Sequence, residues 1–181
     1  MPAEQSGHST VQFAADPEHR GRRVLYGLTT AVLTLIMVLA VLDGVSDVNT
    51  FGVGSTWSSD SGGGSELRVH HTLVSRPALA SPFDIEVHRP GGFDGPVEIA
   101  VDRRYLQLWD LNGIYPDPSA QRSEGDAIVW EFDPPSTAEV LYVVFDARIE
   151  PAAQSGRDGS VALLEGDATV ARVDFHTAVR P

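Results

Sequence analysis

The sequence predicts a mainly β protein: a single immunoglobulin-like antiparallel β-sandwich preceded by one transmembrane α-helix. Three observations support this fold class. An uncharged apolar run covers residues 24–42, small and polar residues dominate residues 44–66, and apolar and polar side chains alternate in much of residues 67–181. The 181 residues therefore divide into four predicted segments. These are a disordered cytoplasmic tail (1–23), a transmembrane helix (24–43), a flexible linker (44–66) and an extracytoplasmic β-sandwich domain (67–181).

The apolar run is long enough to cross a membrane. The 19 residues from Val24 to Leu42 carry no charge, and at ~1.5 Å per residue they extend roughly 28 Å, about the thickness of a bilayer's hydrocarbon core. A cleaved signal peptide usually has a shorter apolar region, followed by a small-x-small cleavage site. Because no Ala-x-Ala triplet follows Leu42, we predict a retained signal anchor. The alternative is a cleaved signal.

Charges beside the apolar run predict its orientation. Three Arg residues lie between His19 and Val24, whereas Asp43 and Asp47 follow the other end. Arg residues clustered beside a membrane helix keep that end in the cytoplasm. We therefore expect a single-pass protein of the plasma membrane, with its N-terminus inside and residues 43–181 outside.

Two small residues in the apolar run form a candidate helix–helix face. Gly27 and Ala31 are four positions apart, a spacing that lets two helix backbones approach closely in a membrane. This spacing predicts a dimer through the transmembrane helix. The alternative is ordinary composition, since Gly and Ala are frequent in such helices.

The segment after the apolar run has the composition of a linker. It ends in SSDSGGGS, and a flexible chain of this length would reach on the order of 25 Å. Phe51 and Trp57 are unusual in such a linker. Asp60-Ser61-Gly62 resembles the Asp-Thr/Ser-Gly triplet of aspartic proteases, whose chemistry needs two carboxylates in one rigid cleft. Since the triplet occurs once, we assign it to the linker.

Period-two alternation dominates the rest of the chain. It is clearest in six segments: 83–87, 97–101, 128–132, 141–149, 161–163 and 171–177. Such alternation places one face of a strand on a core and the other in water. Turn-forming stretches separate the segments, and no stretch of ten residues in this part shows helical periodicity. Seven or eight short strands of an immunoglobulin-like sandwich are therefore predicted.

One stretch within this region resembles a known family. AIVWEFDPPSTAEVLYVVFDARIEP is similar to the strand pair of bacterial surface repeat domains of the DUF11 type, and the resemblance covers residues 126–151. It implies an immunoglobulin-like module that serves as a stalk or adhesive unit. The opening strand typical of that family is missing, and the domain is present in one copy. The whole chain also resembles singly anchored membrane proteins of actinobacteria, which implies a location and a fold but no catalytic residues.

Composition narrows the chemistry and the partners. The chain has no Cys, and all 13 of its basic residues are Arg, which excludes disulfides, thiolate chemistry and Schiff-base amines. Residues 43–181 contain ten Arg and 22 acidic residues, a net charge of −12. Such a surface repels phosphates and anionic headgroups. We therefore predict no nucleic-acid partner. The acidic surface would suit a cationic partner, and the alternative is that it serves only solubility.

The histidines do not predict a metal site. His70 and His71 are adjacent on a predicted strand, so their side chains should point to opposite faces. His88 and His176 fall on predicted outward faces. No spacing typical of zinc ligands is present, and we predict no cofactor.

Calcium is the alternative ligand. Asp110, Asn112 and Asp117 offer the oxygen atoms that Ca²⁺ prefers. An EF-hand that begins at Asp110 would need other residues at the positions of Ile114 and Gln121. Ordinary turn chemistry explains the same residues.

No catalytic motif identifies an enzyme. The sequence lacks G-x-S-x-G, S-x-x-K and H-E-x-x-H. A Ser-His-Asp set assembled from distant strands would leave no sequence signature.

A cluster of large apolar residues in LQLWDLNGIYP either packs under the sandwich, which is the interpretation we favour, or forms an exposed contact patch. The candidate interaction patch consists of Leu108, Trp109, Leu111, Ile114 and Tyr115.

These observations favour a non-enzymatic binding or structural module. We expect a protein partner for the extracytoplasmic domain, as in an accessory subunit of a membrane complex, and the lipid bilayer as the partner of the span. The alternative is a cell-envelope hydrolase or a calcium-binding module with a site built from loop residues.

Overall fold

The structure is a computed structural model that describes residues 17–45, 52–166 and 168–180. Contacts between Cα atoms divide the chain into two units, residues 1–42 and 43–181. The first contains most of a single helix and the second is built from strands. Phe51, which the sequence marks as unusual in a linker, lies outside the described residues.

Helix α1 covers Pro17–Val45 and includes the apolar run. Its section Val24–Val41 is long and apolar enough to cross a membrane, and all of its side chains are exposed. Thr29 and Thr30 donate their hydroxyls to the carbonyls of Leu25 and Tyr26, which satisfies these polar groups within the helix. The length and the composition of this section fit a retained membrane span. They also fit a signal sequence near the N-terminus.

The bounds of α1 correct the predicted tail. Residues 17–23 belong to the helix rather than to a disordered segment, while residues 1–16 lie outside the described part of the chain. Proline at the first helical position is favourable because its backbone has no N–H to satisfy there. No proline interrupts the helix between Pro17 and Val45, so the helix continues through the Arg cluster.

The second unit is a β-sandwich, which confirms the predicted mainly β fold. It has ten described strands and a single helical turn, α2 (Arg103–Leu106). The strands are β1 (Gly54–Gly62), β2 (Ser65–Ser75), β3 (Phe83–His88), β4 (Val97–Asp102), β5 (Trp109–Tyr115), β6 (Ala120–Glu124), β7 (Ala127–Phe132), β8 (Val140–Ile149), β9 (Arg157–Glu165) and β10 (Ala168–Val179).

The strands form two sheets that one short strand pairing connects. The first sheet has the order β1–β2–β3–β8–β5, and the second has the order β10–β9–β4–β7–β6. Neighbouring strands within each sheet are antiparallel. The end of β10 also pairs in parallel with β2, at Val74 and Ser75, and this short pairing connects the two sheets.

An aromatic cluster lies at the centre of the core. Phe83 of the first sheet contacts Phe145, with ring centroids 4.6 Å apart, and Tyr105 of α2 at 5.3 Å. Tyr105 in turn contacts Phe175 of the second sheet at 5.0 Å. Tyr105 is fully buried and shares a hydrogen bond of 3.1 Å with Thr177 Oγ1. Each large apolar side chain buried here stabilises the fold by about 1.5–3 kcal/mol.

The structure contradicts the predicted flexible linker. Residues 54–62 form β1, and β2 begins at Ser65, so most of the predicted linker belongs to a β-hairpin. Gly63 and Gly64 both have positive φ angles, 58° and 76°, as a two-residue type I′ turn requires. The glycine run is therefore a hairpin turn, and the domain begins before residue 67.

Two further strands exceed the predicted seven or eight. β5 contains a shift in register between Leu111 and Gly113, and such a bulge interrupts the period-two pattern. β6 has the sequence AQRSE at the edge of the second sheet, and all five of its residues are exposed. An exposed edge strand needs no apolar face, so the sequence pattern did not reveal it.

Candidate functional site on the outer face of the first sheet

The predicted apolar cluster packs under the sandwich, which is the interpretation that the sequence favours, rather than forming an exposed patch. Leu108 and Trp109 are buried, with 1% and 5% exposure, and Leu111 and Ile114 are partly buried against the core. Only Tyr115 is well exposed, at 59%. The reason is that β5 pairs with β8 and turns its apolar residues toward the core.

The predicted calcium ligands do not converge. The Asp110 carboxylate accepts a hydrogen bond of 2.8 Å from Arg148 Nε, while Asn112 and Asp117 are exposed. Among the described residues, no group of three or more His, Asp or Glu side chains could hold a metal ion. Asp60 of the protease-like triplet accepts a hydrogen bond of 2.7 Å from the Arg172 backbone N–H, so its role is structural.

Gly27 and Ala31 lie exposed on α1. A side chain added at Gly27 would meet nothing within 4 Å. A second helix could therefore approach this face, and the helix–helix contact remains a prediction.

A different group of residues forms an ordered, exposed surface on the first sheet. We call it the aromatic–charged face and define it by Trp57, Arg68, His70, Asp84, Glu86, His88 and Tyr142. Strand register brings these residues side by side: Trp57 lies opposite His70, which lies opposite Asp84. In the next row, Arg68 lies opposite Glu86, which lies opposite Tyr142.

The aromatic side chains of this face are only partly covered. Trp57 is 38% exposed and Tyr142 is 45% exposed. The Trp57 ring stacks on His70 with centroids 4.7 Å apart, and the Arg68 guanidinium lies 5.0 Å from the Trp57 ring. Such cation–π contacts fix the orientation of an exposed aromatic ring.

Charged side chains form a network around Glu86 in the second row. Arg68 donates to Glu86 at 2.8 Å, and His88 Nε2 lies 3.0 Å from the same carboxylate oxygen. Desolvation raises the pKa of Tyr142, and the negative charges of Asp84 and Glu86 raise it further. Tyr142 therefore keeps its hydroxyl proton and can donate a hydrogen bond at neutral pH.

His70 joins side chains from three strands. Its Nδ1 lies 3.1 Å from Asp84 Oδ2, and its Nε2 lies 3.0 Å from Ser55 Oγ. Because a carboxylate only accepts hydrogen bonds, the neutral imidazole carries its proton on Nδ1, and Nε2 accepts the Ser55 hydroxyl. No sequence signal indicates this set, because Ser55 lies in the stretch whose composition predicts a linker.

The neighbouring histidine faces the core, which confirms that His70 and His71 point to opposite faces. His71 is 3% exposed, stacks on Phe175 with centroids 4.5 Å apart, and shares a hydrogen bond of 3.0 Å with Ser58 Oγ. Burial lowers the pKa of His71. His88 and His176 point outward, as the alternation predicted.

The outer face of the second sheet is covered by its own side chains. Arg122 forms two hydrogen bonds to the Glu98 carboxylate across the sheet, and these bonds lower the pKa of Glu98. Beside this pair, Val129 and Ala162 are almost fully buried, at 1% and 7% exposure. A long arginine side chain can cover apolar surface in this way. This face therefore offers less apolar contact area than the aromatic–charged face.

Comparison with known sequences identifies no family. The chain matches no protein-family model and no curated protein. The resemblance of residues 126–151 to DUF11-type repeats thus remains a prediction.

Comparison with solved structures finds distant likenesses. A type I cohesin–dockerin complex from Clostridium thermocellum matches with a TM-score of 0.40 and 8% identity, over 69% of this chain and 99% of that chain. The sixth cohesin of scaffoldin B from Acetivibrio cellulolyticus, in complex with a dockerin, matches with a TM-score of 0.36 and 13% identity, over 70% of this chain and 98% of that chain. At these values the likeness carries no argument about partners or activity.

Proposed function

We propose that this chain is a membrane-held binding module whose aromatic–charged face binds a protein partner with a basic surface. The observation that carries the proposal is the exposure of Trp57 and Tyr142 within an ordered network of charged side chains. Exposed aromatic rings beside charged groups are typical of interaction sites.

Order in the free protein favours binding through this face. The stacking of Trp57 on His70 and the contact with Arg68 already restrict the Trp57 ring. A partner that docks on a restrained side chain loses less conformational entropy than one that must immobilise it. The face is therefore suited to act as a preformed contact surface.

Charge complementarity selects the partner. The face itself carries Asp84 and Glu86 against the single Arg68, and residues 43–181 have a net charge of −12. A negative surface accelerates the association of a positively charged partner and repels acidic ones. We therefore propose a basic protein as the occupant.

The membrane part of the proposal rests on α1. A retained helix with the Arg cluster inside would hold the sandwich on the outer side of the plasma membrane. This location suits an accessory subunit of a membrane complex, and the exposed Gly27–Ala31 face would allow a second helix to pack there.

Site-specific photo-crosslinking in membranes of the producing cells tests the binding face. A photoreactive phenylalanine analogue replaces Tyr142 in one full-length variant and Glu124, on the edge strand of the second sheet, in another. We expect a discrete adduct with a basic protein from position 142 and none from position 124. Mass spectrometry of the adduct identifies the partner and its isoelectric point.

A charge reversal on the face provides the matched comparison. Glu86→Arg should reduce the adduct at position 142 by about tenfold or more, because it places like charges against the basic partner. Asp133→Arg makes the same change outside the face and should leave the adduct intact. Three outcomes would contradict the proposal. They are equal adducts at positions 142 and 124, no adduct at position 142, and an adduct at position 142 that Glu86→Arg does not reduce.

A further inference from the structure

We propose that Ser55, His70 and Asp84 form a nucleophilic serine site that hydrolyses small carboxylic esters. This inference goes beyond binding and does not depend on it. The three side chains come from β1, β2 and β3, so no short motif in the sequence contains them.

The hydrogen bonds have the arrangement that serine activation requires. Ser55 Oγ lies 3.0 Å from His70 Nε2, and His70 Nδ1 lies 3.1 Å from Asp84 Oδ2. Asp84 thus fixes the tautomer whose free lone pair faces the serine hydroxyl, which is the arrangement of a general base beside a nucleophile. Asp84 acts as a positioning residue, while Ser55 and His70 would meet the substrate.

Local backbone structure sets this geometry. The register of β1 against β2 shifts between Gly54 and Ser55. Such a bulge changes the direction of the side chains beside it. After the bulge, Trp57 lies opposite His70, and His70 lies opposite Asp84. Ser55 occupies the same face as Trp57, two residues earlier on the strand.

Of the two adjacent histidines, only His70 is bonded to both a serine hydroxyl and a carboxylate. His71 also bonds a serine, Ser58, at 3.0 Å. Its other ring nitrogen, Nδ1, is buried and is bonded to no carboxylate, so no acid stabilises its protonated form. Ser58 is therefore an internal comparison for Ser55, because it has the base but not the acid.

The His70 imidazole is partly open to solvent. The His70 side chain is 23% exposed and that of Asp84 is 14% exposed, so solvent and small molecules reach the imidazole. The Trp57 ring stacks on the imidazole at 4.7 Å and the Asp84 carboxylate bonds its Nδ1, so both hold the ring in place. The acidic surroundings disfavour anionic substrates, and the exposed Trp57 suits an ester with a flat aromatic leaving group.

The reaction consumes one water molecule for each ester. Ser55 Oγ attacks the acyl carbon, the hydroxyl proton passes to His70 Nε2, and the ester C–O bond breaks as the leaving alkoxide takes that proton. Water then attacks the acyl-serine and gives a proton to Nε2. The acyl–Oγ bond breaks, and Ser55 regains its proton from His70. Ester and water thus yield a carboxylic acid and an alcohol, with Ser55 regenerated.

The test uses the full chain in lipid nanodiscs with two probes, an alkyl fluorophosphonate and p-nitrophenyl acetate. We expect the fluorophosphonate to form a Ser–O–P bond at Ser55 with loss of fluoride, located by peptide mass spectrometry. Ser55→Ala should abolish the adduct and the hydrolysis of p-nitrophenyl acetate above the background rate. His70→Gln should slow both reactions by about 100-fold, since a positioned general base contributes at least this factor.

Two further variants separate activation from a structural effect. Asp84→Asn should slow labelling and shift or abolish its pH dependence, because the amide no longer fixes the tautomer of His70. Ser59→Ala changes a residue on the same face of β1. In this variant the fluorophosphonate should label Ser55 at the same rate as in the unmodified protein. No adduct at Ser55, an adduct at Ser58 instead, or equal labelling in His70→Gln would overturn the proposal. Photo-crosslinking from position 142 should persist in Ser55→Ala, so the two proposals can fail separately.

Discussion

Two adjacent histidines acquire opposite environments because consecutive residues on a strand face opposite sides of the sheet. His70 lies on the outer face beside Asp84, whereas His71 is buried against Phe175. Burial disfavours the charged imidazolium and lowers the pKa of His71. The folded protein therefore binds the His71 proton more weakly than the unfolded chain does.

This difference predicts a loss of stability on acidification. An unfolded histidine has a pKa of about 6.5, so below this pH the unfolded chain takes up a proton that the folded protein still excludes. Stability should be complete above about pH 6.5 and should decline as the pH falls toward the folded pKa of His71. Urea denaturation between about pH 7.5 and pH 5.5 measures this decline. This pH range lies above the pH at which Glu98 takes up a proton, because the bond to Arg122 lowers the pKa of Glu98.

A variant without the buried imidazole isolates the effect. His71→Phe keeps an aromatic ring against Phe175 and should reduce the slope of unfolding free energy against pH. His176→Gln removes an exposed histidine, which contacts Asp158, and should keep most of the slope. An unchanged slope in His71→Phe would show that His71 does not carry the pH dependence.

At the scale of the element, the β1–β2 hairpin is both the least expected feature and the support of the candidate site. β1 supplies Ser55 and Trp57, and β2 supplies Arg68 and His70. The hairpin also lies close to β10, since a side chain added at Gly62 would overlap the Val170 carbonyl. Glycine is therefore required at Gly62 by the close approach of a neighbouring backbone.

Gly62→Ala should destabilise the fold. The added Cβ would lie 1.8 Å from the Val170 carbonyl oxygen, so β1 or β10 must move, at a cost of about 1–3 kcal/mol or more. Gly95→Ala is the matched comparison because nothing lies within 4 Å of its added Cβ. The difference between the two variants in urea denaturation gives the measurement. Equal stabilities would show that β1 does not pack against β10 in this way.

Strand prediction succeeded where the alternation was regular and failed where the strand lacked an apolar face. Segments such as 141–149 place apolar residues on the core at every second position, and β8 follows that pattern. β1 is rich in Ser and lies at a sheet edge, so its composition resembles a linker. Its pairing with β2 depends on a glycine turn whose φ angles are not visible in composition.

For the whole molecule, the acidic charge and the opposite orientations of His70 and His71 were foreseeable, but the candidate site was not. Ser55, His70 and Asp84 are 15 and 14 positions apart in sequence, and only strand register brings them together. Burial of the apolar cluster was favoured from sequence, but an exposed patch stayed open as the alternative, because the same apolar residues suit a buried strand and an exposed loop. The sequence thus indicated which residues of a regular strand face the core. The candidate site depends on how the strands pair, which the sequence pattern does not show.

For the whole molecule, we propose that a retained helix holds the β-sandwich on the outer side of the membrane. A recognition sequence for a specific protease, inserted between Asp47 and Val48, allows a direct measurement on intact cells of the producing organism. The protease is added to the medium, and the released fragment and the membrane fraction are analysed by mass spectrometry, with a cytoplasmic protein as the control for cell integrity.

We expect the sandwich to appear in the medium only after protease addition, while the fragment that contains α1 stays in the membrane. Release without protease, with a new N-terminus near Gly44, would contradict retention of the helix. Cleavage that occurs only after the cells are broken would contradict the orientation.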